Sequence, residues 1–511
     1  MTTVPRAAGP PLDGVSPAGP PSTLAAGTGD APYANVPPTN APSDGLPASA
    51  GRTTVVAALC VGTFVAALGN SVVNAILPIV ADGLQSDVAS VQWVITTFLL
   101  VQSGLLLTFG RLGDMRGHKE IYMLGLVVLP VGSALCGLTT SVPMLVAARV
   151  VQAIGASMLV SNLAAIMTQV FPPEQRGRAL GIQATTVYLG LALGAPLGGW
   201  LTDLFGWRSV FFVNVPVATV AFLLALRLLK GTRPAERRES FDLAGAAIYV
   251  LGLTALLLAL NQGHAWGWTS PLVLGCLALG AALLAVFAAV ERRVASPMLD
   301  LTLFGQRAFS APVVSALLNY GSSIATTFLL PFALIQGRGL SPSQAGLILT
   351  CQPLVMALTA SFSDSLSDHV GSRIPATLGM AVLAVGLFAL SRLGVDASVW
   401  AITVALGVVG LGVGLFTSPN NSAVMGAVPA KRRGVASGIL ATARTLGMLL
   451  GIGVAGAVFS TALATGTGAS GTSGGGEAIV DAVGVGLLVA SGLALVGVLT
   501  SATRPSVQID E

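Results

Sequence analysis

The chain has 511 residues, of which 53% are hydrophobic and only 9% charged, with a formal net charge of +4. A soluble globular chain carries roughly 25% charged residues to cover its surface, so this composition excludes an ordinary soluble protein and points to solvation by lipid. The small positive balance is no nucleic-acid signal, because the basic residues lie in short loops between apolar stretches.

Residues 1–52 are rich in Pro, Gly, Ala, Ser and Thr and have no apolar periodicity. Such a segment buries too little surface to offset its ordering entropy, and we read it as a disordered cytoplasmic tail. It has no apolar core after a basic start, so it is not a signal peptide. Apolar segments then follow at 54–80, 89–109, 121–141, 143–169, 179–201, 209–228, 242–260, 271–290, 309–335, 344–363, 374–391, 398–421, 434–460 and 480–501. About 20 residues of helix cross the roughly 30 Å of a bilayer core. Only helices satisfy their own backbone within one such segment. The expected class is an all-α integral membrane protein with about fourteen spans. Cys60, Cys136, Cys276 and Cys351 fall in four different apolar segments without Cys-x-x-Cys spacing, as buried thiols packing like small hydrophobes.

The positive-inside rule sets orientation. With both termini cytoplasmic, 20 of the 25 basic residues fall on the cytoplasmic side. Arg208, Arg338 and Arg392 fall outside, and Arg149 and Arg444 lie within spans.

The chain also repeats itself. Leu112–Gly117 (LGDMRG) is echoed by Leu366–Gly371 (LSDHVG), a shift of 368 − 114 = 254. Arg176–Gly181 (RGRALG) is echoed by Arg433–Gly438 (RGVASG), a shift of 433 − 176 = 257, at which Gly190 and Gly194 also meet Gly447 and Gly451. Three matches in register argue for two related six-helix halves, 53–232 and 308–502. Between them, 233–307 holds two inserted helices with their flanking loops, and 503–511 is a cytoplasmic tail. Architectures of this kind bind substrate near the midplane between halves that rock to expose it to each side.

The segment Gly110-Arg-Leu-Gly-Asp114-Met-Arg116-Gly117-His-Lys119 resembles the loop signature of the major facilitator superfamily. Gly190-Leu-Ala-Leu-Gly194-Ala-Pro196-Leu-Gly198-Gly199 is similar to the fifth-helix motif of its antiporter branches. Val73–Pro78, Trp207–Pro216 and Arg432–Gly438 resemble segments of the fourteen-span drug:proton antiporter branch. The likeness runs over about 54–500. It implies the major facilitator fold, no enzymatic activity, a bacterial plasma-membrane location, and export of drugs or antibiotics by proton antiport. An uptake or metabolite carrier on the same fold is the alternative.

Within that resemblance, Asp114, set in a Gly-flanked turn among Arg111, Arg116 and Lys119, is expected to gate the cytoplasmic side, with Asp368 as its weaker counterpart. The glycines of the 190–199 stretch form a small face for close helix packing, and Pro196 can bend the span. Arg149 lies roughly 9 Å into the fourth span and Arg444 about 15 Å into the thirteenth, at 1.5 Å per residue. An arginine at such depth is costly and normally faces a cavity. Arg149–Gln152 also resembles the family's proton-coupling pattern. No acid falls well inside a span, and Gly69 stands where a first-helix acid is common in the branch. A cavity with two arginines and no carboxylate favours neutral, zwitterionic or acidic amphipathic substrates over dications, with Asn74, Gln152, Asn319 and Gln352 offering hydrogen bonds. The proton then loads on an edge acid such as Asp82 or rides on the substrate. No cofactor is expected: His118, His264 and His369 have no metal spacing, and no P-loop Lys-Ser/Thr follows Gly474–Gly476. The expected partners are the small substrate, protons and the bilayer.

Overall fold

The computed structural model describes residues 50–170, 173–228, 243–292, 301–429, 433–469 and 475–503. Of the expected tails, 1–52 and 503–511, residues 1–49 and 504–511 lie outside the described residues, as do 229–242 and 293–300 beside the inserted pair, while 50–52 already belong to the first helix.

Helices account for every predicted span. They are α1 (Ala50–Ala75), α2 (Leu77–Gly83), α3 (Val88–Arg116), α4 (His118–Gly137), α5 (Val142–Val170), α6 (Pro173–Phe205), α7 (Ser209–Phe212) and α8 (Asn214–Leu228). The inserted pair is α9 (Leu243–Trp266) and α10 (Pro271–Glu291). Then come α11 (Arg307–Pro331), α12 (Pro342–Leu349), α13 (Cys351–Val370), α14 (Arg373–Ser391), α15 (Val399–Gly426), α16 (Arg433–Ala469) and α17 (Gly475–Ala502). A π-helical turn, Phe332–Gly337, extends α11.

Among the described residues, eleven helical stretches are long and apolar enough to cross a membrane, some of them joining two consecutive elements, and the bent α1–α2 pair makes a twelfth. The count of fourteen rests on two more. α9 contributes the shorter apolar stretch Ala247–Leu260, and α6 is diluted by the glycines and proline of its motif and by the threonines that flank it. The bend between α1 and α2 is 61° and falls at Ile76, two residues before Pro78. Proline supplies no N–H to the preceding turn, which ends one helix and starts the next.

The signature loop is shorter than its sequence pattern implies. Gly110 to Arg116 continue α3, and only Gly117 breaks the chain, with φ +109°. Gly371 does the same between α13 and α14, with φ +77°. Both are helix C-terminal positions whose positive φ favours glycine, and they are 371 − 117 = 254 residues apart, the spacing of the sequence repeat.

α1 packs on α6 and α8, α4 on α5 and α8, and α3 on α5; among the later helices, α11 packs on α16 and α17, and α14 on α15 and α17. The two sets meet along α6 with α12 and α13, and along α3 with α16. α9 lies across the second seam: Val250 sits where a Cβ on Gly104 of α3 would fall, and Leu257 and Leu260 abut Gly453 of α16. α10 packs on α9, with Tyr249 and Phe287 rings 5.4 Å apart.

Candidate functional site

A cavity of about 180 Å³ lies between the two sets of helices, walled by α1, α6, α11, α12, α13, α15 and α16. Its polar lining is Asn70, Ser71, Asn74, Tyr320, Ser323, Thr327 and Gln352, and among the described residues none that lines it is charged. Ligand pockets for drug-sized molecules measure roughly 300–1,000 Å³, so in this conformation the cavity holds part of such a ligand.

Helix rotation decides which predicted residues reach this space. Asn74 and Gln352 line it. Asn74 is 4% exposed and its amide oxygen has no partner, whereas Gln352 accepts a 2.7 Å bond from the Thr326 hydroxyl. Arg444 stands behind the wall, with its guanidinium carbon 5.4 Å from the ring of Tyr320 and a hydrogen bond to Asn421.

Arg149, Gln152 and Asn319 are not among the lining residues, contrary to the expectation for each. Arg149 is fully buried between α3, α4 and α5. Its Nε donates to the Val94 carbonyl at 3.0 Å, its Nη1 donates to Gln152 Oε1 at 2.6 Å, and Phe98 stacks on it at 4.3 Å. Gln152 donates onward to Ser133 Oγ at 2.5 Å, and Asn214 of α8 donates to the same oxygen at 3.3 Å. The apolar environment makes these carbonyl and amide partners the arginine's substitute for water. A Cβ on Gly69 would stand 3.0 Å from Asn214 Nδ2, so the position of the missing acid faces this buried chain and not the cavity. Asn319 is buried in the other set, donating to Met380 Sδ at 3.2 Å.

The antiporter-type glycines form two contacts. Gly190, Gly194 and Gly198 lie against Ala67, Ser71 and Val72 of α1, each so close that a Cβ would come within 3.0 Å. Gly199 turns the other way: its Cβ would fall 2.1 Å from the Pro342 carbonyl oxygen at the start of α12. Gly346, one turn on, would strike Ala195 O at 2.4 Å. Pro196 sits between these contacts within α6.

That junction closes one end of the cavity, and polar ties reinforce it. Asp203 of α6 accepts the Ser343 backbone N–H at 3.1 Å and the Ser343 hydroxyl. A carboxylate there also meets the positive end of α12, whose own first turn is held by a Ser341–Gln344 capping box. Asp82 Oδ1 accepts from Gln336 Nε2 at 2.8 Å, and Gln92 of α3 donates to Ile452 O of α16 at 3.1 Å. None of these three ties was legible in the sequence, since the partners are 140, 254 and 360 residues apart.

At the other end, Arg116 is exposed, Lys119 is partly buried, and Gly110 has only Ser161 within ordinary contact of a Cβ. The side chains of Asp114 and Asp368 lie outside the described residues. Behind the Gly117 turn, His118 and Asn162 share a 2.8 Å hydrogen bond, and Asn162 Nδ2 donates to Phe109 O and Met158 O. Both Asn162 protons are committed, so its oxygen accepts and His118 carries its proton on Nδ1. Neither cavity-lining Asn70 nor the hydroxyls of Ser323 and Thr327 was anticipated; Asn70 was legible as the residue one turn before Asn74 on the same face.

The described residues hold no cluster of His, Cys, Asp and Glu able to bind a metal. Among them, Glu291 at the end of α10 is buried.

Comparison with known proteins agrees with this architecture. The sequence family described as the Major Facilitator Superfamily matches residues 59–304 and 313–505. The riboflavin transporter RibZ of Clostridioides difficile is 34% identical, over 80% of this chain and 88% of its own. The cephamycin export protein CmcT of Amycolatopsis lactamdurans is 35% identical, over 83% and 86%, and the multidrug resistance protein Stp of Mycobacterium tuberculosis is 31% identical, over 78% and 74%. Among solved structures, a bacterial homologue of the human lysosomal transporter Spinster superposes with a TM-score of 0.67 at 16% identity, covering 90% of this chain and 98% of that one.

Proposed function

The chain belongs to the Major Facilitator Superfamily of membrane transporters, and from that premise we propose that it is a secondary active exporter of amphipathic drugs or antibiotics, driven by proton antiport. The observation that carries this reading is the cavity between two sets of helices, closed at one end by the Gly199–Pro342 junction and the Asp203–Ser343 tie. A site enclosed on one side between separable bodies is what alternating access requires. The Gly117 and Gly371 turns support two related halves, with α9 and α10 inserted between them.

In this proposal the Asp203 end faces outward and both termini are cytoplasmic, in the bacterial plasma membrane. The basic-residue bias favours that orientation, and its three exceptions are each held by the protein. Arg208 donates to the Thr139 carbonyl at 3.0 Å, Arg338 donates to the Ala397 carbonyl, and Arg392 stacks on Phe388 at 5.0 Å. Asp114, Arg116, Gly117 and Lys119, with Asp368, gate the cytoplasmic end. Arg149 and Gln152 couple α5 to α3 and α4, and an edge acid such as Asp82, tied to Gln336 across the seam, takes up the proton. An uncharged lining favours neutral, zwitterionic or acidic substrates, because a desolvated dication finds no carboxylate there.

Export in an efflux-deficient host tests the reading. Wild type raises resistance to members of a broad antibiotic panel and Arg149→Ala does not; identical sensitivity across the panel sinks the proposal. Uptake or metabolite carriage is the second reading, favoured by the likeness to a riboflavin transporter. Accumulation in right-side-out vesicles only, and never proton-dependent accumulation in inverted ones, selects it.

A further inference from the structure

Arg444 sits in a span as Arg149 does, but its setting is different. Arg149 is fully buried, and its Nε and Nη1 both reach oxygen acceptors. Arg444 is partly exposed, and its hydrogen bond to a described residue runs from Nη2 to the amide oxygen of Asn421. The Tyr320 ring lies 5.4 Å from its guanidinium carbon. A ring face and an amide oxygen attract a cation without neutralising it. Among the described residues no carboxylate pairs with Arg444. A charge in a span normally serves a partner or a pathway.

The neighbouring helices show which end of the cavity this charge occupies. Tyr320 of α11 and Met448 of α16 line the cavity, and Arg444 is one turn before Met448. Cys351 Sγ of α13 donates to the Thr403 carbonyl at 3.4 Å and Ser363 Oγ to the Leu415 carbonyl at 2.8 Å, both pairs 52 residues apart. α13 and α15 therefore run side by side in one direction, away from the closure at Pro342. Asn421, at 421 − 415 = 6 residues beyond Leu415, stands at the far end. The cavity of about 180 Å³ holds part of a drug-sized ligand, whose pockets measure roughly 300–1,000 Å³. Gly199 and Pro342 bar the remainder at one end. At the other end stand Tyr320 and, behind it, Arg444.

We propose that Arg444 is an anion site at the end of the cavity away from the Gly199–Pro342 closure. The substrate seats an apolar or aromatic body in the cavity and pairs a single carboxylate or sulfonate with the guanidinium. Each charge finds in the other the counter-charge that the lining does not supply. The site rests on the export reading and narrows its substrate class to amphipathic organic monoanions.

The probes are 1-pyrenebutyrate and naproxen, each against its own carboxamide, which keeps the shape and removes the charge. The purified full-length transporter is titrated with all four by ligand fluorescence at neutral pH. Wild type binds at least one acid about tenfold more tightly than its carboxamide, because a hydrogen bond to an ionised acceptor is roughly twice as strong as a neutral one. Arg444→Gln closes that gap. Asn421→Asp closes it too, by setting a fixed carboxylate on the guanidinium with almost no change of shape. A purely structural Arg444 would be held more firmly by Asn421→Asp and leave the acid preference as it was. Equal binding of acids and carboxamides by wild type overturns the proposal, as does binding of none of the four or an acid preference kept by either folded variant. If Arg444→Gln fails to fold, wild type and Asn421→Asp still decide. Resistance to the antibiotic panel with failure here removes only the anion site, whereas loss of both removes the export reading with it.

Discussion

Gly199→Ala puts the closed end of the cavity under a direct load. The new Cβ falls 2.1 Å from Pro342 O, 2.5 Å from Pro342 C and 2.8 Å from Ser343 Cα. Ordinary contact begins near 3.4 Å, so the gap must open by 3.4 − 2.1 = 1.3 Å. Nothing struck is a flexible side chain. The backbone of that first turn is fixed by its capping box and by Asp203, so relief comes from moving α6 and α12 apart. Overpacking of this kind costs about 1–3 kcal/mol. Charged to the closed arrangement alone, it lowers that state's weight by about 5- to 150-fold against one open at the Asp203 end. The assay places Thr327→Cys, which lines the cavity, in a background lacking Cys60, Cys136, Cys276 and Cys351. A membrane-impermeant maleimide is then applied from each side. Gly199→Ala raises labelling from the outer side and lowers it from the cytoplasmic side. Gly275→Ala, with nothing within 4 Å of its new Cβ, changes neither. Unchanged labelling in a Gly199→Ala protein that melts like wild type refutes the idea that the α6–α12 contact closes this end.

Other expectations follow from the same geometry. Arg149→Lys keeps the charge but loses the planar fork that reaches Val94 O and Gln152 together; transport falls by more than about tenfold and stability by about 1.5–3 kcal/mol, the range for a hydrogen bond to a charged group, read by export assay and thermal melting. Wild-type export by the lysine variant contradicts it. Gly113→Ala drives a Cβ to 1.8 Å from Asn162 Oδ1 and 2.5 Å from His118 Nδ1, which breaks their shared bond and costs about 1–3 kcal/mol. Adding Asn162→Ala costs little more, because the same contact is already lost, and full additivity in melting experiments argues against the coupling. Asn74→Asp places a carboxylate on the cavity wall with almost no change of volume. It confers export of a dication such as propidium and weakens export of uncharged compounds, and an unchanged cation profile removes the electrostatic account of substrate choice.

The sequence by itself determined where the helices run, because apolar length and backbone self-sufficiency leave no other solution in lipid. It also determined the turns at Gly117 and Gly371, since a positive φ at a helix end selects glycine. The pairing of Arg149 with Gln152 was legible too, three residues apart on one helix. What the tertiary structure alone decided is rotation and partnership. A helix in lipid is apolar nearly all round, so its pattern does not tell which side meets the cavity and which meets a neighbour. Asn74 and Asn319 read alike as polar residues in spans, yet one lines the cavity and the other is spent on Met380. Arg149 was expected beside the substrate path and instead secures α5 to the Val94 carbonyl of α3. Only the approach of α6 to α12, made possible by Gly199 and Gly346, gave Asp203 its partner Ser343. Local rules act over one or two helical turns, and these contacts join residues more than fifty positions apart.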